Sequence, residues 1–194
     1  RWTKPYLNKL KKKIENDTLL KIAISRMKLK FMKNTDALLH GDLHTGSIMV
    51  TKKDTKVIDP EFAFFGPMGF DIGALIANLL MSYFSQVGHE KIQGERKLYK
   101  IWLLELIQKI WIEFEKKFLK LWEKKNYGDA YPRVLFKNDI KKFNKEKENY
   151  MRKLFQETVS FAGAKIIRRI FGFAHNIDFD WIENEEVRAN CEYK

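Results

Sequence analysis

Residues 38–73 read LLHGDLHTGSIMVTKKDTKVIDPEFAFFGPMGFDIG, and this stretch sets two acidic clusters on either side of a short apolar hairpin. Asp42 lies in a loop entered by apolar residues and left by Ile48-Met49-Val50, a run with strand character. Lys56-Val57-Ile58 forms the second expected strand, and the polar residues Lys52 to Thr55 form the loop between the two. Asp59 and Glu61 follow directly. A hairpin in this place fixes the separation of the carboxylates.

Phosphoryl transfer needs that arrangement: one carboxylate orients the acceptor hydroxyl, and another holds the magnesium ion that neutralises charge on the transferring phosphate. A lone Asp beside Gly or Pro reads as a turn residue. The joint pattern His40-Gly41-Asp42, Ser47, hairpin, Asp59-Pro60-Glu61 goes beyond turn chemistry. Asp42 is the candidate catalytic base or acceptor-orienting carboxylate. His40 reads as a scaffold residue, since a neutral imidazole can both donate and accept, and the role of His44 stays open. Asp59 is expected to ligate Mg2+, a hard ion that prefers oxygen. In an extended segment Glu61 points to the same side as Asp59, and Pro60 stiffens the link between them.

HGDLH followed by a hairpin and a metal-binding Asp resembles the aminoglycoside phosphotransferase and choline kinase branch of the protein-kinase-like fold. Two residues depart from the wider pattern. Ser47 stands where that branch usually carries a metal-ligating Asn, and Asp59-Pro60-Glu61 stands where protein kinases have Asp-Phe-Gly. HGDLHTGS together with DPEFAFFGPMGFDIG resembles the 5-methylthioribose kinases of methionine salvage. AGAKIIRRIFGFAHNIDFDWIENEEVRANCE, residues 162–192, resembles the closing helices of the same family. The resemblance spans most of residues 36 to 192. It implies a transferase that phosphorylates the 1-hydroxyl of 5-methylthioribose with ATP as co-substrate. It further implies Mg2+ on Asp59 and Glu61, with Glu61 supplying the oxygen that Ser47 supplies weakly or not at all. Arg168 and Arg169 become contacts to the sugar and its reacting end, and Asp71 braces the catalytic loop through backbone hydrogen bonds. Another small-molecule kinase of the same group, or a non-catalytic basic helical interaction module, are the alternatives.

With 194 residues, 45% of them hydrophobic and five Trp, the chain has enough material for one domain with a sizeable core. Its single cysteine, Cys191, excludes an internal disulfide framework and fits a reducing, cytoplasmic setting. The longest apolar run, Ile72 to Phe84, falls short of the roughly 20 residues that a membrane-spanning helix needs. No cleavable signal peptide pattern is present. A net charge of +12 invites a nucleic-acid reading. The lysines, however, are interspersed with Glu along 113–125 and 141–153, as on solvated helix faces, and no nucleic-acid-binding motif accompanies them.

The expected fold class is α+β, predominantly α-helical: residues 1–194 as the C-terminal lobe of a protein-kinase-like fold, with a short β-hairpin carrying the catalytic and metal-binding loops. The 194 residues hold no glycine-rich nucleotide loop and no Val-Ala-Ile-Lys strand. The expectation is therefore a chain about twice as long, with ATP bound mainly by an N-terminal lobe. Helical spacing of Leu19, Leu20, Ile22, Ala23, Ile24, Met27 and Phe31 predicts a helix that ends before Asn34. A second helix is expected from about Asp71 to Phe84, with Asp71 as a candidate N-cap. A long amphipathic helix from Glu95 to Lys125 carries Leu98, Trp102, Leu106, Trp111, Phe114, Phe118 and Trp122 near one broad face. That stripe reads as core, with docking of a partner subunit, a homodimer for example, as the alternative. Residues 126 to 145, with Asn126 and Gly128, read as an irregular connector. Helix resumes near Lys147 and runs to about Phe173, with close packing expected at Ala162-Gly163-Ala164, and a last helix starts near Glu183.

Overall fold

The computed structural model describes residues 3–124 and 130–194. Its elements in chain order are α1 (Asn8–Asn16), α2 (Thr18–Lys33), β1 (Ala37–Leu39), β2 (Ile48–Val50), β3 (Thr55–Val57), β4 (Phe64–Gly66), α3 (Gly69–Ser85), α4 (Lys97–Lys124), α5 (Ile140–Phe171), α6 (Ile177–Asp180) and α7 (Glu185–Tyr193). The fold is α+β and predominantly helical, as the sequence predicts.

Helix α2 starts where the Asp17 carboxylate accepts the Leu20 N–H at 2.9 Å, and it stops at Asn34 as expected. The hairpin forms one residue out of its expected register at the second strand. Ile48 pairs with Val57 and Val50 with Thr55, which leaves Ile58 outside the ladder. Its N–H donates instead to the Ser47 carbonyl at 2.9 Å. A second antiparallel ladder was not foreseen: β1 pairs with β4, Ala37 opposite Gly66 and Leu39 opposite Phe64. The β2–β3 hairpin is nested inside it, so the Asp42 loop and the Asp59 loop both run through the gap between the two ladders.

Helix α3 begins at Gly69, which places Asp71 inside the first turn and removes the N-cap role expected for it. The Gly69 N–H is satisfied by Glu157 Oε1 of α5 at 3.3 Å, and Glu157 also pairs with Lys30 of α2. One buried carboxylate thus ties three helices. Helix α5 begins at Ile140 rather than Lys147, because the Asp139 side chain caps it by accepting the Lys142 N–H at 3.0 Å. Residues 140–145 of the expected connector are therefore helical, while Asn126 and Gly128 lie outside the described residues. The last helix starts at Glu185, capped by Asn184.

Helices α3 and α5 pack in direct backbone contact. A Cβ on Gly73 would lie 2.5 Å from the Thr158 carbonyl oxygen, so only glycine permits this approach. Ala162 joins that interface at 3% exposure, but Gly163 faces open space, so the close packing falls on α3 glycines rather than on the Ala-Gly-Ala triplet. Buried Ile76, Ala77 and Ala162 form the core there; Leu7, Met81, Ile170, Phe179, Ile182, Ala189 and Cys191 form a second cluster near the chain ends. Each fully buried aliphatic side chain contributes about 1.5–3 kcal/mol. The α4 stripe divides. Trp111 packs on Phe155, Phe118 on Tyr150, and Trp122 on Phe143 and Tyr150, whereas Leu98 and Trp102 near the helix start are exposed. The run Gly69–His89 is long and apolar enough by composition to cross a membrane, contrary to the expectation from Ile72–Phe84 alone. Half of that window is buried within the fold, where it serves as the core helix.

Candidate active site

The Asp42 loop is built by hydrogen bonds that leave its carboxylate outside them. Asp71, from the first turn of α3, accepts the His40 N–H at 2.6 Å on one oxygen and the Gly41 N–H at 3.1 Å on the other. Two turns along the same helix, Asn78 Oδ1 accepts both the N–H and the hydroxyl of Thr45. Helix α3 therefore grips the loop on both sides of Asp42.

His40 joins the two acidic loops. Its Nε2 bonds the Ile58 carbonyl at 2.8 Å and its Nδ1 accepts the Asp42 N–H at 3.4 Å, so the ring is the neutral tautomer with the proton on Nε2. Both nitrogens are occupied, which fits a scaffold role and leaves none for proton transfer. Gly41 has φ +86°, and a Cβ there would lie 2.1 Å from the Phe62 carbonyl oxygen. The Asp42 loop and the chain beyond Glu61 can touch only because this residue is glycine.

His44 Nδ1 accepts the Gly46 N–H at 3.0 Å, capping a short 3₁₀ turn, while its Nε2 stands 3.6 Å from Asp42 Oδ2. Ser47 is buried, and its hydroxyl accepts the His44 N–H while lying within bonding distance of the His44 and Asp42 carbonyls. It is engaged inside the loop rather than aimed outward as a metal ligand.

The partner of the Asp42 carboxylate comes from 123 residues away: Lys165 Nζ on α5, 3.2 Å from Oδ1. Burial of Asp42 favours its neutral form, but the hydrogen bond and charge of Lys165, with the charges of His44 and Arg169, hold its pKa below the usual aspartate value. Lys165 is itself pushed down, first by burial and then by the nearby charges of Arg169 and Arg168, with Asp42 opposing. Arg169, half-buried, donates to the His175 carbonyl at 3.2 Å; Arg168 is exposed. The two adjacent arginines thus differ in setting, as their offset of about 100° around the helix requires.

Asp59 and Glu61 are both exposed, and among the described residues neither makes a hydrogen bond or ion pair. The extended geometry expected to align them is not what forms. Asp59 has φ +66°, and residues 60–63 turn back, with the Ala63 N–H donating to the Pro60 carbonyl at 3.0 Å. A non-glycine residue in the left-handed region carries strain of about 1 kcal/mol or more, and such strain clusters at functional sites. Among the described residues no group of three His, Cys, Asp or Glu side chains surrounds a metal position. Two free carboxylates without a protein cage suit Mg2+, which is commonly held by one or two carboxylates plus substrate phosphates and water.

Lys165 and Asn78 escaped the sequence reading. Asn78 is, with Ser82, one of two polar interruptions of the Ile72–Phe84 run, and Lys165 interrupts the apolar stretch 161–167 one turn before Arg169. Each is a polar residue set in an otherwise apolar run, and that is the available signal.

Residues 4–131 match a family model described as the phosphotransferase enzyme family. The chain is 47% identical over 194 residues to methylthioribose kinase 1 of Oryza sativa subsp. japonica, covering 99% of this chain and 45% of the relative. It is 43% identical over 191 residues to a methylthioribose kinase of Escherichia coli, covering 98% of this chain and 46% of that relative. Against a methylthioribose kinase of Bacillus cereus the identity is 40% over 179 residues, 91% of this chain and 40% of the relative. The chain thus spans about half the length of the curated relatives it matches.

Proposed function

The chain belongs to the phosphotransferase enzyme family, and from that premise we propose that the whole protein phosphorylates the 1-hydroxyl of 5-methylthioribose, using ATP and Mg2+, in methionine salvage. The observation that carries the reading is the Asp42 carboxylate, held ionised at the open end of a loop gripped by α3, in a chain 47% identical to a methylthioribose kinase along nearly its whole length. An anomeric hydroxyl is more acidic than an ordinary alcohol, so a carboxylate of weak basicity suffices to orient it and take its proton. Positioned groups of this kind contribute roughly 10² to 10⁴-fold.

Asp59 and Glu61 are the residues that would hold the metal, which when bound neutralises charge on the phosphates. Arg169, near Asp42, and Arg168 beside it supply guanidinium groups for the sugar hydroxyls and for charge developing at the reacting end. The nucleotide-binding lobe belongs, in this reading, to the part of the relatives' length that this chain does not span. A cytoplasmic setting is supported by Cys191, a free and buried thiol. Phosphorus NMR of reactions containing ATP, Mg2+ and the whole protein tests the substrate. A new sugar 1-phosphate signal is expected with 5-methylthioribose and none with choline or an aminoglycoside. Phosphorylation of either of those in preference to methylthioribose would transfer the reading to another kinase of the group.

A further inference from the structure

Lys165 sits on a helix locked to α3 by the Gly73 approach, with only 9% of its side chain exposed. An ammonium group so far from water is strongly unfavourable unless an anion meets it. Among the described residues its one ionic partner is Asp42 Oδ1, and Lys165 is in turn the one side chain hydrogen-bonded to the Asp42 carboxylate. The pair makes little sense as a device for stability. Its anionic end is more than a third exposed, where ion pairs contribute little, while its cationic end carries the full cost of burial.

We propose that Lys165 is the positioning residue for Asp42: it holds Oδ1 from the buried side and leaves Oδ2, which has only His44 Nε2 beside it at 3.6 Å, as the oxygen offered to the acceptor hydroxyl. The proposal rests on the reading of Asp42 given above. The helix supplies a fixed point and the loop supplies the reacting group, so the ion pair transmits the rigidity of the α3–α5 core to the carboxylate. Misplacing a reacting group by about 1 Å costs on the order of 10²-fold in rate. The charges facing Asp42 are Lys165 and Arg169 from α5 and His44 from its own loop, with Arg168 acting on Lys165. Loss of Lys165 removes the largest of the influences that keep the carboxylate ionised, so the acidic limb of the rate profile must move to higher pH.

Steady-state kinetics of the full-length enzyme with ATP and 5-methylthioribose decide it, using Lys165→Met, Lys165→Arg, Asp42→Asn and the double variant Lys165→Met/Asp42→Asn. Removing one member of an ion pair leaves the other charge behind, but the Asp42 side chain is 36% exposed and stays solvated, while the buried ammonium is relieved of its desolvation cost, so Lys165→Met is expected to melt close to the wild-type temperature. Its kcat falls about 10²-fold, with KM for ATP unchanged and the acidic limb shifted upward. Lys165→Arg regains most of the loss, and in the Asp42→Asn background Lys165→Met costs less than about a further twofold. A kcat within about twofold of wild type with an unshifted acidic limb, or a full loss repeated in the Asp42→Asn background, would overturn the proposal. Should Lys165→Met fail to fold, Lys165→Gln carries the same comparisons. An active Asp42→Asn enzyme would instead overturn the reading of Asp42 and this proposal with it, whereas an inactive Asp42→Asn beside an unaffected Lys165→Met overturns this proposal alone.

Discussion

Asp42 titrates among cations, and the sign of the effect is fixed by its environment. Burial opposes ionisation, yet Lys165, His44 and Arg169 together depress its pKa. A carboxyl depressed on folding contributes stability that is present above its unfolded pKa and lost as pH falls through the folded one. Acidification below the usual aspartate range therefore removes that contribution, together with the charged form that the proposed reaction requires. Asp59 carries a different constraint, its left-handed backbone. Asp59→Asn is expected to unfold in urea close to wild type, since Asn tolerates that conformation, while Asp59→Ala loses about 1 kcal/mol more. Both variants, and to a smaller extent Glu61→Ala, should raise the Mg2+ concentration for half-maximal activity. A magnesium titration of Glu61→Ala that overlays wild type would remove Glu61 from the metal site. Of the two arginines, Arg169 lies nearer the Asp42 charge, so Arg169→Ala is expected to lower kcat by about 10²-fold and Arg168→Ala by less. Equal and negligible effects in steady-state kinetics would mark both as surface charges.

At the scale of elements, the site depends on how closely α5 approaches α3, because Lys165 reaches Asp42 only from that position. Gly73→Ala places a Cβ 2.5 Å from the Thr158 carbonyl oxygen, so it should destabilise the chain by about 1–3 kcal/mol, as overpacking does. Gly163→Ala is the opposite case. Nothing lies within 4 Å of its added methyl, and alanine in a helix interior should stabilise by about 0.5–1 kcal/mol. Urea unfolding of the two variants checks both signs. The sequence points to Gly163 for close packing, but the close approach falls at Gly73, because the partner helix decides which glycine is needed. Helical periodicity located α2, α3 and most of α4, and turn chemistry located the β2–β3 hairpin, since these signals are local. The β1–β4 ladder was not legible, because three-residue strands joined only by distant pairing leave no periodic trace. The start of α5 was misread because Asp139, within a stretch of Asn and Asp, looks equally like a loop residue and an N-cap.

Across the whole molecule, residues far apart in sequence converge on one loop: Asp71 and Asn78 from α3, Ile58 and Phe62 from the second acidic loop, Lys165 from α5. Asp42, Asp59, Glu61 and His40 could be picked out because their spacing follows from one hairpin. Lys165 carries a local signal as a polar residue in an apolar run but no signal of its partner, because its contact with Asp42 spans most of the chain and only the folded packing of two helices creates it. A rigid helical core thus stands behind a short acidic loop whose Asp42 carboxylate is 36% exposed. The most direct measurement of that carboxylate's proposed role is methylthioribose-dependent ADP formation by the whole protein, wild type against Asp42→Asn, at saturating ATP and Mg2+. One ADP for each methylthioribose 1-phosphate is expected in the wild type, and a rate at least about 10²-fold lower in Asp42→Asn, with folding intact. Near-normal turnover by a folded Asp42→Asn protein, or ADP formation indifferent to methylthioribose, would contradict it.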